Sequence, residues 1–239
     1  MKCTGQDPKI GLLLYGPPGC SKTLIAKALA TEADFNFIAV KGAELLSMYV
    51  GESERSVREV FRKARNASPS IIFFDEIDAL GASRDTSQGG LHVLTTLLNE
   101  LDGIEDLKGV VVLAATNKPA ILDPALIRAG RFSTLFYIGL PDLDARMKIL
   151  FIRLRKVNHA DDIDVPQLAR ATEGFSGAEI VDICQKAGKA AMELCLESGE
   201  KPAKTNVTME QLMKAIEVTE KGVSAEQLQG YEEWRASRR

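Results

Sequence analysis

The sequence predicts an α/β fold, a parallel sheet sandwiched by helices and followed by a small all-helical domain. Three observations predict it. Short, wholly apolar runs such as residues 71–74 and 110–115 alternate with longer amphipathic stretches, as strands buried on both faces alternate with covering helices. A glycine-proline turn joins the first such run to the first helix. Beyond Pro141 no convincing strand follows, only helical periodicity.

Residues 11–15 read as the first strand, 22–33 as the helix after the turn, and 35–40 as the second strand. Residues 52–67 place Val57, Val60, Phe61 and Ala64 on one face, the mark of an amphipathic helix. Pro69 then breaks the chain before strand 71–74. Over 91–101, Leu94, Leu97, Leu98 and Leu101 recur at helical spacing, and 110–115 and 135–138 are the last two strands. Right-handed crossovers carry the strand-end loops of interest to one edge of such a sheet, where chemistry is expected. After Pro141 come helices over 143–156, 165–171, 176–196 and 208–219, with Ser176 and Glu179 spaced as a capping box. The division is a domain at 1–140 and a helical one at 141–239 that ends in a tail.

Composition narrows the function. The 239 residues are 45% apolar and 26% charged, with a formal net charge of −3, the balance of a soluble globular chain. No broad cationic field results, so nucleic acid and membrane surfaces are not default partners. No apolar run approaches bilayer length and the first residues lack a signal-peptide core, which predicts a soluble compartment. Cys3, Cys20, Cys184 and Cys195 form no Cys-x-x-Cys pair, and His92 and His159 are not at metal spacing from them. Reduced thiols in the cytosol or nucleus are expected, without zinc or disulfides.

The string Gly16-Pro17-Pro18-Gly19-Cys20-Ser21-Lys22-Thr23 lies between a strand and a helix, the placement a phosphate loop needs. There, backbone N–H groups curl around a phosphate and the helix start adds its positive dipole end. Lys22 can meet the β- and γ-phosphates, and the Thr23 hydroxyl can ligate Mg²⁺. Ser21 stands where the motif has glycine: its Cβ either crowds the loop or its hydroxyl adds a phosphate contact. Cys20, close to amides and a helix start, is expected to have an activated thiol, the alternative being an inert, occluded one. At the end of run 71–74, Asp75 suits a metal role and Glu76 the role of general base toward water. Asn117, after run 110–115, either orients that water or is an ordinary turn residue.

These motifs, with Leu126-Ile127-Arg128-Ala129-Gly130-Arg131-Phe132 and Gly174-Phe175-Ser176-Gly177-Ala178-Glu179, resemble the classical branch of the AAA+ ATPases. The resemblance covers about residues 10–220, with the motifs in order. It implies a phosphate-loop nucleoside triphosphatase with a helical lid, ATP and Mg²⁺ as cofactors, and assembly into a ring, a hexamer by family habit. It implies that Arg128 and Arg131 act as arginine fingers in a neighbour's site and that Gly177 and Ala178 lie in the lid motif near the adenine. Tyr49 and Val50 resemble the first pore loop, which grips a protein substrate, although Tyr49 also suits a core. Gly81–Gly90 resembles the second pore loop and Leu101-Asp102-Gly103-Ile104 the inter-subunit signalling turn. The Cys20-Ser21 pair, Val40-Lys41-Gly42 and Tyr49–Glu54 are most similar to the second ATPase module of the valosin-containing-protein-like ribosome-maturation subfamily. That similarity implies cytoplasmic work on a pre-ribosomal particle of the large subunit. The alternative is a non-hydrolysing module that stabilises a ring through bound ATP; the presence of Glu76 speaks against it.

Overall fold

The computed structural model describes residues 11–46, 52–81, 88–103, 108–197 and 206–238. They form two compact units, one of residues 11–16, 22–138 and 234–238, the other of 17–21 and 139–233.

The first unit is built on five parallel strands: β1 (Gly11–Tyr15), β2 (Asn36–Lys41), β3 (Ser70–Asp75), β4 (Val110–Thr116) and β5 (Thr134–Tyr137). Their order is β2-β3-β4-β1-β5. Parallel strands need helical crossovers, and these cover both faces. The helices are α1 (Lys22–Glu32), α2 (Gly42–Leu46), α3 (Glu52–Asn66), α4 (Asp78–Gly81) and α5 (Gln88–Asp102).

Successive strand residues point to opposite faces, so the apolar run of β3 feeds two cores. Ile72 and Phe74 join Val57, Phe61, Leu94 and Leu97 on the side of α3 and α5. Ile71 and Phe73 join Ala26 and Ala30 of α1 on the other. The central strands β3 and β4 are almost wholly buried, whereas edge strands β2 and β5 are half exposed. That difference explains why β3 and β4 read as unbroken apolar runs.

The second unit contains α6 (Leu143–Leu154), α7 (Val165–Ala171), α8 (Gly177–Glu197) and α9 (Met209–Glu217), around Leu150, Leu154, Leu168, Ile180, Ile183 and Leu212. Side-chain caps start α6, α7 and α9. Asp142 accepts from Ala145 N, Asp164 accepts from Gln167 N, and Thr208 with Gln211 forms a capping box, each satisfying orphan N–H groups. Buried Arg146 ties α6 to its surroundings, donating to Ala169 O at 2.8 Å and to Pro141 O at 2.9 Å.

The structure adds elements that the sequence pattern does not show. Helices α2 and α4 have five and four residues, too few for a 3.6-residue period to register. A further helix, α10 (Ala225–Ala236), occupies the stretch read as a tail. It has no fully buried residue, so it carries no apolar stripe to detect. Its Trp234 packs edge-on against Tyr15 at the end of β1, with ring centroids 4.7 Å apart.

Phe61 is fully buried and its ring lies 6.1 Å from that of Phe74, joining α3 to the sheet. Phe61→Ala should therefore lower the unfolding free energy by about 3–5 kcal/mol, read from urea denaturation. A loss below about 1 kcal/mol, typical of a surface change, would place Phe61 outside the core.

Candidate active site at the carboxyl edge of the sheet

Register brings the candidate residues of the first unit together. Leu13 and Phe74 both pair with Ala114, so β1, β3 and β4 end level with one another. Tyr15 pairs with Thr116; Gly16, Asp75, Glu76 and Asn117 consequently leave the sheet side by side.

The loop between β1 and α1 takes its shape from three positive backbone angles. Gly16 has φ +144°, and a Cβ there would overlap the carbonyl of Ile138; Gly19 has φ +73°. Ser21 has φ +64°, the left-handed region in which a side chain is strained by roughly 1–2 kcal/mol. This is the physical reason for glycine in the motif, and the Ser21 Cβ departs from it through backbone strain. Lys22, 8% exposed, donates from Nζ to Gly16 O at 2.9 Å and ties the start of α1 to the start of the loop. Pro18 is exposed and Pro17 buried.

Thr23 Oγ1 donates to Asp75 Oδ2 at 2.7 Å. The two oxygen ligands foreseen for a metal are thus in direct contact. Asp75 Oδ1 also accepts from the backbone N of Glu76 at 3.1 Å. A hydroxyl and one carboxylate form a hard donor set that fits Mg²⁺, which takes one or two carboxylates and fills its sphere with phosphate and water oxygens. Among the described residues no cluster of three or more His, Cys, Asp or Glu could hold a metal ion. A dedicated protein cage of that kind is not what this site offers.

Glu76 is exposed and its φ is +52°. It is pinned on both sides. Ile77, 1% exposed, donates its N–H to Ala115 O at 3.0 Å, and Ala79 N donates to Glu76 O at 3.0 Å. Such a conformation in a non-glycine residue costs about 1–3 kcal/mol and persists only where the surroundings impose it. The result is a carboxylate turned out at the sheet edge beside Asp75.

Sequence reasoning missed Thr116 and Asp78. Thr116, 1% exposed, donates to Asp78 Oδ1 at 2.7 Å and accepts from Lys118 N at 2.9 Å. This pair fixes the turn that carries half-buried Asn117. The only signal was a polar residue closing an apolar strand, which any strand end shows.

The two arginines differ. Arg128 is exposed at the end of a 3₁₀ turn, Pro124–Ile127. Arg131 is held by Asp102 through two hydrogen bonds of 2.7 Å and by Ala125 O at 2.6 Å. The Asp102 hydrogen bond, opposed by partial desolvation and helped by the charges of Asp102 and Asp123, raises the Arg131 pKa above its ordinary value.

In the second unit, Ala178 N donates to Gly19 O at 3.1 Å, bringing the lid motif onto the phosphate loop at the start of α8. The foreseen capping box is present: Ser176 N donates to Glu179 Oε2 at 2.6 Å, and Glu179 N to Ser176 Oγ at 3.3 Å. Gly177 is buried beneath it. Cys20 is 6% exposed, with its thiol 3.6 Å from Pro18 O. Of the two readings of this thiol, the burial is that of the occluded one. Tyr49, Val50 and Ile104 lie outside the described residues, as do 82–87 of the Gly81–Gly90 loop.

Residues 12–140 match the model of the ATPase family associated with various cellular activities (AAA), and 162–213 match the AAA+ lid domain. This chain belongs to the AAA ATPase family. The chain is 53% identical over 227 residues to the ATPase family gene 2 protein of Saccharomyces cerevisiae, covering 94% of this chain and 28% of that protein. It is 52% identical over 193 residues to ATPase family gene 2 protein homolog A of Homo sapiens, covering 79% and 22%. With the cell division cycle protein 48 homolog of Archaeoglobus fulgidus it shares 47% over 236 residues, covering 94% and 32%. The chain thus spans less than a third of the length of these relatives. The AAA family inferred from the motifs is the family found, and ATP hydrolysis is the activity that goes with it.

Ser21→Gly should stabilise this AAA module by about 0.5–1 kcal/mol: relief of left-handed strain exceeds the added entropy of an unfolded glycine. Urea denaturation without nucleotide measures this. A loss of stability instead would show that the Ser21 hydroxyl makes a compensating bond.

Proposed function

We propose that this chain is a Mg²⁺-dependent ATPase module of a ring that remodels or extracts proteins. The observation that carries the reading is the Thr23–Asp75 contact at 2.7 Å, with Glu76 next to it where the phosphate loop leaves the sheet. In this reading Lys22 exchanges the Gly16 carbonyl for β- and γ-phosphate oxygens, and amides of residues 16–21 cradle the phosphates. Thr23 and Asp75 would hold Mg²⁺, which would supply positive charge to offset that of the phosphates. Glu76 takes a proton from the attacking water. Asn117 orients that water against the γ-phosphate. Gly177 and Ala178 belong to the lid near the adenine.

An arginine from a neighbouring subunit completes the site. Arg128 and Arg131 are the candidates, and a ring, a hexamer by resemblance, is the assembly that supplies one to each site. The protein substrate would be gripped by Tyr49 and Val50. The similarity of the Cys20-Ser21, Val40–Gly42 and Tyr49–Glu54 strings to the ribosome-maturation subfamily supports a pre-ribosomal particle of the large subunit as client. It supports the cytoplasm as the place of work. No helix among the described residues is long and apolar enough to cross a membrane.

Glu76→Gln should keep MgATP binding and lose turnover by about 10²–10⁴-fold, because an amide cannot accept the proton. Nucleotide binding and steady-state phosphate release are measured together; near wild-type release removes Glu76 from the role of base. Arg128→Ala should bind ATP yet hydrolyse it poorly, and should regain turnover when mixed with Glu76→Gln subunits. In such mixed rings the first mutant keeps its base and borrows its neighbour's arginine. Failure of every mixture to recover, with rings confirmed by mass, would overturn the neighbour-arginine reading.

A further inference from the structure

We propose that a groove in the helical unit, between α8 and the carboxyl end of α6, is a docking site for an acidic amphipathic helix of another protein. The groove shares no residue with the ATPase site, and its role does not depend on that reading.

Three observations carry it. The first is the shape and lining of the groove, which has a volume of about 600 Å³. Val181, Cys184, Gly188 and Met192 line it along α8, and Val157 and Val207 line it from outside that helix. From 181 to 192 the α8 side rises about 16 Å, the length of three helical turns. Burial pushes the Cys184 thiol up to about 11, against the opposing charge of Arg153, so it stays protonated and offers an apolar surface. Met192 is 58% exposed, an adaptable side chain suited to packing against a partner.

The second is Gly188 itself. It lies in the interior of α8, where glycine costs stability relative to alanine. Its φ is not positive, and a Cβ built on it meets nothing within 4 Å beyond its own helix backbone. Neither backbone conformation nor packing within the described chain calls for glycine there. The missing side chain leaves a notch in the groove, where a second helix can approach α8 closely.

The third is charge. Arg153, Lys156 and Lys189 line the groove, and among the described residues no aspartate or glutamate does. The whole chain, by contrast, carries 30 basic and 33 acidic residues. Lys189 meets Glu193 at 3.7 Å, but both side chains are largely exposed, and such pairs hold weakly. A second groove of similar volume, between α8 and α9, is lined by Glu193 and Glu197 as well as Lys186 and Lys214, and so favours neither sign. An apolar floor with a cationic rim fits a helix that lays apolar anchors at i, i+3 or i+4, and i+7 and flanks them with carboxylates. Residues 198–205 of this chain, with two lysines, one glutamate and a proline, have the wrong charge to be that occupant.

The test uses fluorescently labelled helical peptides of about four turns, titrated with the whole chain and read by anisotropy. One has leucines at helical spacing with glutamates between them; a second replaces the glutamates by lysines; a third keeps the glutamates and replaces the leucines by serines. The first should bind saturably and shift the methyl resonance of Met192 in methionine-labelled protein, and the other two should bind about 10-fold more weakly or worse. Gly188→Leu, which fills the notch, should weaken the first peptide about 10-fold while melting temperature and ATP turnover hold. Arg153→Glu combined with Lys156→Glu should reverse the preference towards the lysine peptide. No saturation of the first peptide by about 1 mM, or equal binding of the serine peptide, overturns the proposal. So does a Met192 resonance that stays in place, or binding that survives Gly188→Leu. Should Gly188→Leu lower the melting temperature, the charge-reversed variant decides alone: an unchanged preference overturns the proposal and a reversed one sustains it. If the mass of the chain without peptide grows with concentration and Gly188→Leu prevents this, the occupant is a second copy of the chain and the proposal falls.

Discussion

The hydrogen bond from Thr23 to Asp75 joins segments 52 residues apart in sequence, and the site depends on the register that makes it possible. Were β1 to slip by one residue against β4, its side chains would change faces. Leu13 and Leu14 would trade cores, and Gly16 would no longer leave the sheet beside Asp75. Burial of both faces of β3 and β4 excludes that slip, since Ile71 to Phe74 must satisfy two cores at once. The packing that stabilises the sheet is thus the same constraint that sets the oxygens of Thr23 and Asp75 in contact.

Around this fixed edge the backbone is strained at two non-glycine positions that matter for chemistry, Ser21 and Glu76. The sources differ. Ser21 is an exposed side chain in a loop conformation that glycine accepts freely, and nothing in its packing demands a hydroxyl. Glu76 is forced, because Asp75 must complete β3 while Ile77 is buried and bonded to Ala115. Two anchored neighbours leave a single residue to make the turn, and its carboxylate is thereby directed outward.

Charge placement follows a related logic. The carboxylates of Asp75, Asp78 and Asp102 each meet a specific donor: Thr23, Thr116 and Arg131. Two are neutral hydroxyls, which orient a carboxylate without cancelling its charge, as a cation site requires. The third is a guanidinium, which cancels it. Asp75 is therefore not charge-paired by its Thr23 donor in the way that Asp102 is by Arg131.

The sequence by itself determined the strand-and-helix alternation, the phosphate loop, the Asp75-Glu76 pair and the Ser176–Glu179 cap. Each is a local pattern: an apolar run, a helical period or a fixed spacing. Only the tertiary structure decided that Thr23 touches Asp75, that Thr116 and Asp78 hold the Asn117 turn, that Cys20 is occluded, and that Arg131 is bound while Arg128 is not. Helix α10 was decided there too, since Trp234 finds Tyr15 only after the chain has folded. The reason is physical. Propensity and periodicity act over a few residues, whereas these contacts arise from register and burial between segments far apart in the chain.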